Sequence, residues 1–310
     1  MRRPGRDARV VRHRSPIPTE EATADPEEAA VPVPRERRAV EMEQAENFPV
    51  ALRVLPRVIR VDLRAVYDVV RLIDDTGDEA GGDRTAQLEA LSAELADLWQ
   101  DRPVRTPALV RLRPTVRARR LPEEPFQQLV AANLQDQRVV RYADRGELLQ
   151  YCALSAAPIG RLVLAVFDVP ADDALLAASD RVCAGLQLVE HWQDVAEDRR
   201  RGRIYLPQDA MAAAGVAEAD LDAPTAGPAL RRLVLRETDH AAELLAAGTE
   251  LVPRLHGPAR WAVMAYVAGG QASVDALRRS GGDVLAATPR PRRRDLLRHA
   301  AALALPGGRR

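Results

Sequence analysis

The stretch LQLVEHWQDVAEDRRRGRIYLP at residues 186–207 decides the fold. Polar residues recur in it at intervals of three and four, so they share one face of a helix. The residues on this face are Gln187, Glu190, Asp194 and Asp198. The sequence before them is mostly apolar, and Gly202 ends the pattern. We therefore expect a long, largely buried helix that ends in a row of carboxylates.

A second acidic stretch, YDVVRLIDDTGDE at residues 67–79, ends another apolar helix. Asp74 and Asp78 are four residues apart, and Asp75 and Glu79 repeat that spacing. On a helix such pairs share a face, where like charges repel by roughly 0.2–0.5 kcal/mol per pair. One motif of this kind is also compatible with a solvated helix end. Two of them, each ending a buried helix, indicate facing helices that hold metal ions over a shared cavity.

Mg²⁺ is the cation that suits such a cavity, because it binds through one or two carboxylates, several waters and phosphate oxygens. Metal-bridged diphosphate is the natural ligand, since the metal neutralises the leaving group and permits carbon–oxygen ionisation inside an apolar pocket. Arg71 and Arg203 flank the two motifs and are placed to contact the phosphates through forked hydrogen bonds. The residues alone therefore predict a magnesium and diphosphate site.

Helical periodicity runs from residue 46 almost to the C-terminus, while no segment shows sustained apolar–polar alternation with β-branched residues. We therefore predict an all-α fold with a single helical domain. The helices are expected at residues 58–79, 84–100, 125–142, 144–157, 160–167, 172–200, 229–252 and 259–279.

The composition excludes several classes of protein. The 310 residues carry 45 basic and 45 acidic groups, and this zero net charge argues against a nucleic-acid binder. The two cysteines form no disulfide framework, so we expect a reducing cytoplasm. The most apolar segment, residues 153–169, is interrupted by Arg161 and Asp168, so we expect no membrane-spanning helix. No lysine is present, so arginine, tyrosine, backbone or metal must bind any phosphate.

The two ends of the chain differ in amino-acid composition from its centre. Residues 1–45 are rich in proline, arginine and glutamate and are expected to form a disordered tail. The helical domain is expected at 46–289. Residues 290–310 join arginines to a short apolar stretch, which predicts a basic C-terminal tail that contacts an anionic membrane peripherally, at the inner membrane face.

The chain resembles the squalene/phytoene synthase family across about residues 46–285. The resemblance lies in the segments ENFPVALRVLP (46–56), YDVVRLIDDTGDE (67–79), AANLQDQRVVRY (131–142), YCALSAAPIGRLVL (151–164) and LQLVEHWQDVAEDRRRGRIYLP (186–207). It implies the isoprenoid synthase fold, in which helices surround a central cavity. Within the family, the likeness is to the hydroxysqualene synthases of hopanoid biosynthesis. These have the ENFPVA opening, the DDTGDE motif and Gln193 before Asp194, where condensing relatives carry arginine.

The resemblance also implies roles for individual residues. Mg²⁺ would be held by Asp74, Asp78, Asp194 and Asp198, supported by Asp75 and Glu79. The diphosphate would meet Arg71, Arg203 and Tyr205. The carbocation would lie near Phe48, Tyr67 and Tyr151. The prenyl chain would pass the small, apolar turn at Ala156, Ile159 and Gly160. The second helix would line the substrate pocket with Gln187, Glu190 and Gln193, although Glu190 stands where many relatives have asparagine.

Three functions stay open at this point. The resemblance implies conversion of presqualene diphosphate and water into hydroxysqualene and diphosphate, with a companion enzyme of the squalene pathway reducing the alcohol. A head-to-head prenyl transferase would instead condense farnesyl diphosphate to presqualene diphosphate, or make phytoene. A non-catalytic family member would act as a partner protein, but such proteins are expected to have degraded aspartate motifs.

Overall fold

The computed structural model describes residues 55–305, and this part of the chain is built from helices. Thirteen α-helices follow one another in it: α1 Arg57–Asp78, α2 Arg84–Trp99, α3 Pro107–Arg119, α4 Glu124–Asp136, α5 Arg145–Ser155, α6 Ala157–Val166, α7 Asp173–Gln193, α8 Val195–Arg200, α9 Gln208–Ala214, α10 Pro228–Leu245, α11 Gly248–Leu251, α12 Gly257–Arg279 and α13 Arg293–Ala304. Two short 3₁₀ helices cover Glu218–Asp222 and Val252–Arg254. Between residues 55 and 305, β-structure is limited to one isolated parallel bridge that joins Arg141 to Ile204. The all-α prediction is confirmed.

Aspartates set the starts of three of these helices. The carboxylates of Asp83, Asp144 and Asp172 each accept a hydrogen bond from the backbone N–H three residues later, at 2.8–3.0 Å. Such a side chain satisfies one of the N–H groups that the first turn leaves without a partner. The beginnings of α2, α5 and α7 therefore follow from the local sequence, in agreement with the predicted boundaries.

Several helices differ from the prediction. The segment expected to be one helix at 172–200 breaks at Asp194 into α7 and α8, and the segment at 125–142 ends at Asp136. The helices α3, α9 and α13 were not predicted. Helix α3 has Pro114 in its interior and a weak apolar face, because arginines interrupt its pattern. Helix α9 has only seven residues, too few to show a period.

The helices enclose two hydrophobic cores. Helices α1 to α4 surround the first core, where Val69, Ile73 and Phe126 are completely buried. The second core lies among α5, α7 and α9 to α13. Helix α6 belongs to both, because Leu162 faces the first core and Leu164 the second. The two cores therefore meet along α6.

The C-terminal end of α7 is tied to α10 by the buried side chain of Trp192. Its indole N–H donates to the Glu237 carbonyl oxygen at 3.2 Å. The Glu237 carboxylate is itself buried and pairs with Arg145 at 3.1 Å. A buried carboxylate is costly unless it is paired, so this contact fixes α5 against α10. Together these bonds position the acidic end of α7.

Helix α13 lies in the stretch that we expected to be a tail after residue 289, and the structure corrects that expectation. Asp295 is buried and pairs with Arg279 of α12 at 2.6 Å, while Leu303 enters the second core. The inward carboxylate and leucine explain why the segment folds onto the domain. Leu297 and Leu305 stay exposed. Peripheral membrane contact stays a prediction.

Among the described residues, one segment, Arg145–Val166, is long and apolar enough to cross a membrane by composition. In the structure this segment is two helices, α5 and α6, separated at Ala156. More than half of this apolar segment is buried inside the protein, as is typical of core helices with the same composition.

Gly160 allows α6 to approach α7 closely, and its replacement tests that packing. A methyl group there would lie 2.6 Å from the Cys183 sulfur and the Ser179 hydroxyl oxygen. We expect Gly160→Ala to lower the free energy of unfolding by about 1–2 kcal/mol, because overpacking exceeds the helix-propensity gain of alanine. Gly81→Ala is the matched control, since nothing lies near its added methyl group. Urea denaturation of both variants measures the difference, and equal stabilities would contradict the packing argument.

Candidate active site

A cavity of about 440 Å³ lies between the two cores. Along α1, its lining changes from Tyr67 and Val70 to the carboxylates Asp74 and Asp78. Along α7, the change is from Cys183 and Leu186 to Glu190, followed by Asp194. The two helices thus give the cavity an acidic end and a mainly apolar end. This division suits a ligand with a charged head and a hydrocarbon body.

The structure brings most of the predicted site residues together. The residues that line the cavity are Tyr67, Arg71, Asp74, Asp78, Tyr151, Ala156, Ile159, Gln187, Glu190, Asp194, Asp198, Arg203 and Tyr205. The two aspartate motifs, which are more than 100 residues apart in the chain, therefore face one space.

Four predicted residues of the described chain do not line this cavity. Asp75 pairs with Arg71 at 2.9 Å, and Glu79 lies 4.0 Å from the same guanidinium. Successive helix positions point about 100° apart, so Asp74 and Asp78 take the cavity face and their neighbours take the next one. Gly160 packs on α7, and the Gln193 amide donates to the Pro289 carbonyl oxygen. Phe48, the fifth, lies outside the described residues.

The carboxylates of α1 are held by neighbours from two other segments. The Asn133 amide donates to Asp74 at 3.2 Å, and the Arg203 guanidinium donates to Asp78 at 2.8 Å. Any side chain at Gly77 would overlap the Asn133 amide, so this glycine permits the close approach of α4 to α1. Gly77, which belongs to the first motif, therefore helps to position Asp74 by leaving room for Asn133.

The second carboxylate pair occupies the break between α7 and α8. The Asp198 N–H donates to the Asp194 carbonyl oxygen at 2.8 Å, which keeps the two residues on adjacent turns. Burial, together with the negative charge of Asp194, raises the pKa of Asp198 to about 7. Burial and Glu197 raise the pKa of Asp194. Two carboxylates that resist ionisation in this way favour a cation between them.

The donor set fits Mg²⁺ better than a metal enclosed by protein alone. Within residues 55–305, no group of three or more His, Cys, Asp or Glu side chains is close enough to hold a metal ion. A pair of carboxylates on each side of the cavity matches a cation that completes its coordination with water and phosphate oxygens. The residues present are therefore compatible with magnesium bound together with a diphosphate.

Aromatic rings cover the wall beside the acidic end. The His191 imidazole stacks on Tyr205 with 3.6 Å between ring centroids, and the Tyr151 ring lies 5.9 Å from Tyr205. Burial and the nearby Arg203 lower the pKa of His191 to about 3. The imidazole is therefore neutral at pH 7. His191 is thus both packed against Tyr205 and part of the cavity lining.

Other lining residues were missed or left undecided by sequence reasoning. They are Val70, Leu129, Ala132, Asn133, Asp136, Ser155, Cys183, Leu186, Arg201 and Tyr266. Asn133 and Asp136 are three residues apart on α4 and so share a face, which was the available signal. Burial raises the pKa of the Cys183 thiol to about 12, so the thiol is protonated in the cavity wall.

Asp136 is the carboxylate of the cavity that belongs to neither motif. The Tyr151 hydroxyl donates to its Oδ2 atom at 2.8 Å, while its Oδ1 atom is buried and accepts no hydrogen bond from the described residues. Burial raises the pKa of Asp136 to about 6, against an opposing effect of the Tyr151 hydrogen bond. Folding thus makes Asp136 harder to ionise than an exposed aspartate.

Replacing Asp136 tests that electrostatic cost. Because the folded pKa lies above the usual 3.8, the free energy of unfolding falls as the pH rises from about 4 to about 6. We expect Asp136→Asn to be more stable than the wild type at pH 8 by roughly 2–3 kcal/mol. The difference should vanish below pH 4. Urea denaturation in EDTA at several pH values measures it, and a variant that is less stable at pH 8 would contradict the raised pKa.

The sequence profile of the squalene/phytoene synthase family matches residues 42–298. A hydroxysqualene synthase of Rhodopseudomonas palustris is 35% identical over 222 residues, which covers 71% of this chain and 75% of that protein. A phytoene synthase of Mycobacterium bovis is 32% identical, with 68% of this chain and 70% of that protein covered.

Among solved structures, a squalene synthase from Alicyclobacillus acidocaldarius superposes with a TM-score of 0.72 at 36% identity. The match covers 79% of this chain and 92% of that one. This likeness confirms the isoprenoid synthase fold expected from the sequence. Because the profile spans most of the described helices and the cavity carries both aspartate motifs, this chain belongs to the squalene/phytoene synthase family, whose enzymes act on prenyl diphosphates.

Proposed function

We propose that this protein converts presqualene diphosphate and water into hydroxysqualene and diphosphate, with Mg²⁺ as its cofactor. The observation that carries the proposal is the single cavity with two aspartate pairs at one end and apolar lining at the other. The hydroxysqualene synthase relative supports the choice of reaction. The first step is loss of diphosphate from a primary carbon, and the last is capture of the carbocation by water.

The diphosphate is proposed to bind at the acidic end. Asp74, Asp78, Asp194 and Asp198 would hold Mg²⁺, which supplies positive charge to the leaving oxygens when bound. Arg203 is half-buried and already faces Asp78, so it adds a forked donor close to the metal-binding carboxylates. In a chain without lysine, such a guanidinium is the side chain available for this contact.

The aromatic wall is proposed to protect the carbocation after diphosphate leaves. The rings of Tyr67, Tyr151 and Tyr205 line the cavity, and aromatic rings attract positive charge through their quadrupoles. The low pKa of His191 contributes here, because a protonated imidazole would repel the carbocation. Burial therefore gives this wall the electrostatic character that a cationic intermediate requires.

Head-to-head condensation of two prenyl diphosphates is the second candidate. The phytoene synthase relative, at 32% identity, favours it, since the same aspartate pairs serve the loss of diphosphate in either reaction. A non-catalytic role is less well supported, because all four motif aspartates are present and face the cavity. The two enzymatic candidates differ in substrate and in the need for water.

The decisive assay supplies presqualene diphosphate and Mg²⁺ to the purified protein, without a nicotinamide. We expect hydroxysqualene and diphosphate in equal amounts, with the hydroxyl oxygen derived from ¹⁸O-labelled water. Parallel reactions with farnesyl or geranylgeranyl diphosphate alone are expected to give no product. Turnover of either of those substrates, together with no hydroxysqualene in the first reaction, would favour the condensation instead.

Adjacent aspartates of the first motif provide a matched pair of variants. We expect Asp74→Asn to lower kcat/KM for presqualene diphosphate by roughly 100-fold or more, because the carboxylate faces the proposed metal site. Asp75→Asn should lower it by less than about tenfold, since Asp75 does not line the cavity and only pairs with Arg71, which does. Steady-state kinetics over a range of Mg²⁺ concentrations measure both. Equal losses would contradict the assignment of faces.

A further inference from the structure

Asp136 lines the cavity beside its aromatic wall, and its hydrogen bond is to Tyr151 of that wall. Tyr151, which donates to Asp136, is 5.4 Å from Tyr142 and 5.9 Å from Tyr205 between ring centroids. Tyr142 and Tyr205 are in turn stacked 5.7 Å apart. The carboxylate thus adjoins a cluster of three tyrosine rings, of which Tyr151 and Tyr205 line the cavity.

The two oxygen atoms of Asp136 have different surroundings. The Tyr151 hydroxyl occupies Oδ2 and so fixes the orientation of the carboxylate. Oδ1 is buried without a hydrogen-bond donor among the described residues, although a buried carboxylate oxygen normally has one. A small donor molecule such as water would satisfy this oxygen at the cavity wall.

We infer that Asp136 is the catalytic base that accepts the proton of the attacking water, with Tyr151 as its positioning residue. The inference rests on the proposed function, because it concerns the step that ends that reaction. After diphosphate leaves, the cyclopropylcarbinyl cation rearranges with opening of the ring, and a lone pair of the water oxygen forms the new carbon–oxygen bond to the rearranged carbocation. One O–H bond of that water breaks, and its proton moves to Oδ1 of Asp136. The products are a neutral alcohol and a carboxylic acid.

Other groups of the wall are less suited to this step. His191 has a pKa of about 3, so its imidazole is a weak base at neutral pH. Burial raises the pKa of Tyr151 and of Tyr205, so both hydroxyls stay protonated and can act only as donors or weak acceptors. Asp136, with a pKa raised to about 6, is ionised at pH 7 and close to the value at which a general base works well.

The charged and titratable groups that act on Asp136 are few. Tyr151 donates to it, Arg203 lowers its pKa, and Asp78 raises it. The negative charge of Asp136 in turn contributes to the raised pKa of Tyr142 and of Tyr205. The tyrosines are uncharged, and the positive charge of Arg203 opposes the negative charge of Asp78. The ionised Asp136 carboxylate therefore keeps its negative charge and can accept a proton from water.

The test separates ionisation from water capture by measuring the ratio of hydroxysqualene formed to diphosphate released. In Asp136→Asn, the amide still accepts the Tyr151 hydrogen bond but cannot take the proton. We expect diphosphate release within tenfold of the wild type and a ratio lowered at least tenfold, with hydrocarbon products formed by proton loss from carbon. Asp68→Asn is the matched control, since Asp68 pairs with Arg64 and Arg111 away from the cavity lining.

The outcomes distinguish the inference from the proposed function. An unchanged ratio in Asp136→Asn would overturn the inference while leaving the function intact, and so would a variant that folds but releases no diphosphate. A wild-type protein that forms no hydroxysqualene would overturn the proposed function itself. A second measurement needs no variant: the wild-type ratio should fall as the pH is lowered through about 6. A ratio independent of pH would refute the role of Asp136 as base.

Discussion

The ion pair between Arg203 and Asp78 is the contact on which the site depends. Its 2.8 Å bond joins the end of α1 to the chain that leaves α8, across 125 positions of sequence. Each partner belongs to a different acidic motif, so the pair brings the two carboxylate rows to one cavity. Around it, the two hydrophobic cores supply rigid walls, and α6 connects them. The fold thus uses apolar packing to hold a site that is electrostatically unfavourable by itself.

Much of this arrangement is predictable from the sequence, and the remainder depends on contacts between distant segments. Periodic apolar residues predict α1, α2 and α12, and carboxylate spacing correctly places Asp74 on the cavity face. Spacing does not show which of two adjacent helix faces meets the cavity, so Asp75 is predicted with its neighbour although it points elsewhere. The Gln193 amide donates a hydrogen bond to the Pro289 carbonyl oxygen and so does not line the cavity. Asp295 pairs with Arg279, which packs the segment that we expected to be a tail against the domain as a helix. Neither contact leaves a local signal in the sequence.

Zero net charge conceals a strongly uneven distribution of charge. The cavity collects carboxylates whose burial raises the pKa of Asp136, Asp194 and Asp198 above ordinary values. Each of these groups makes the folded state less stable near neutral pH than an uncharged residue of the same shape would. Elsewhere in the described chain, arginines pair with surface carboxylates, as Arg199 does with Asp222. The unfavourable charges are therefore concentrated where a cationic ligand would offset them.

The protonated state of Cys183 has a consequence for the durability of the protein. A prenyl carbocation is an alkylating agent, and the Cys183 sulfur lies in the wall of the cavity where that cation is proposed to form. A thiolate at this position would react with the cation faster than a thiol does, because the thiolate is the more nucleophilic form of cysteine. Burial keeps the group as a thiol, and the chain has no lysine amine to react in its place. The same apolar packing that shapes the cavity thus also keeps this sulfur in its less nucleophilic form.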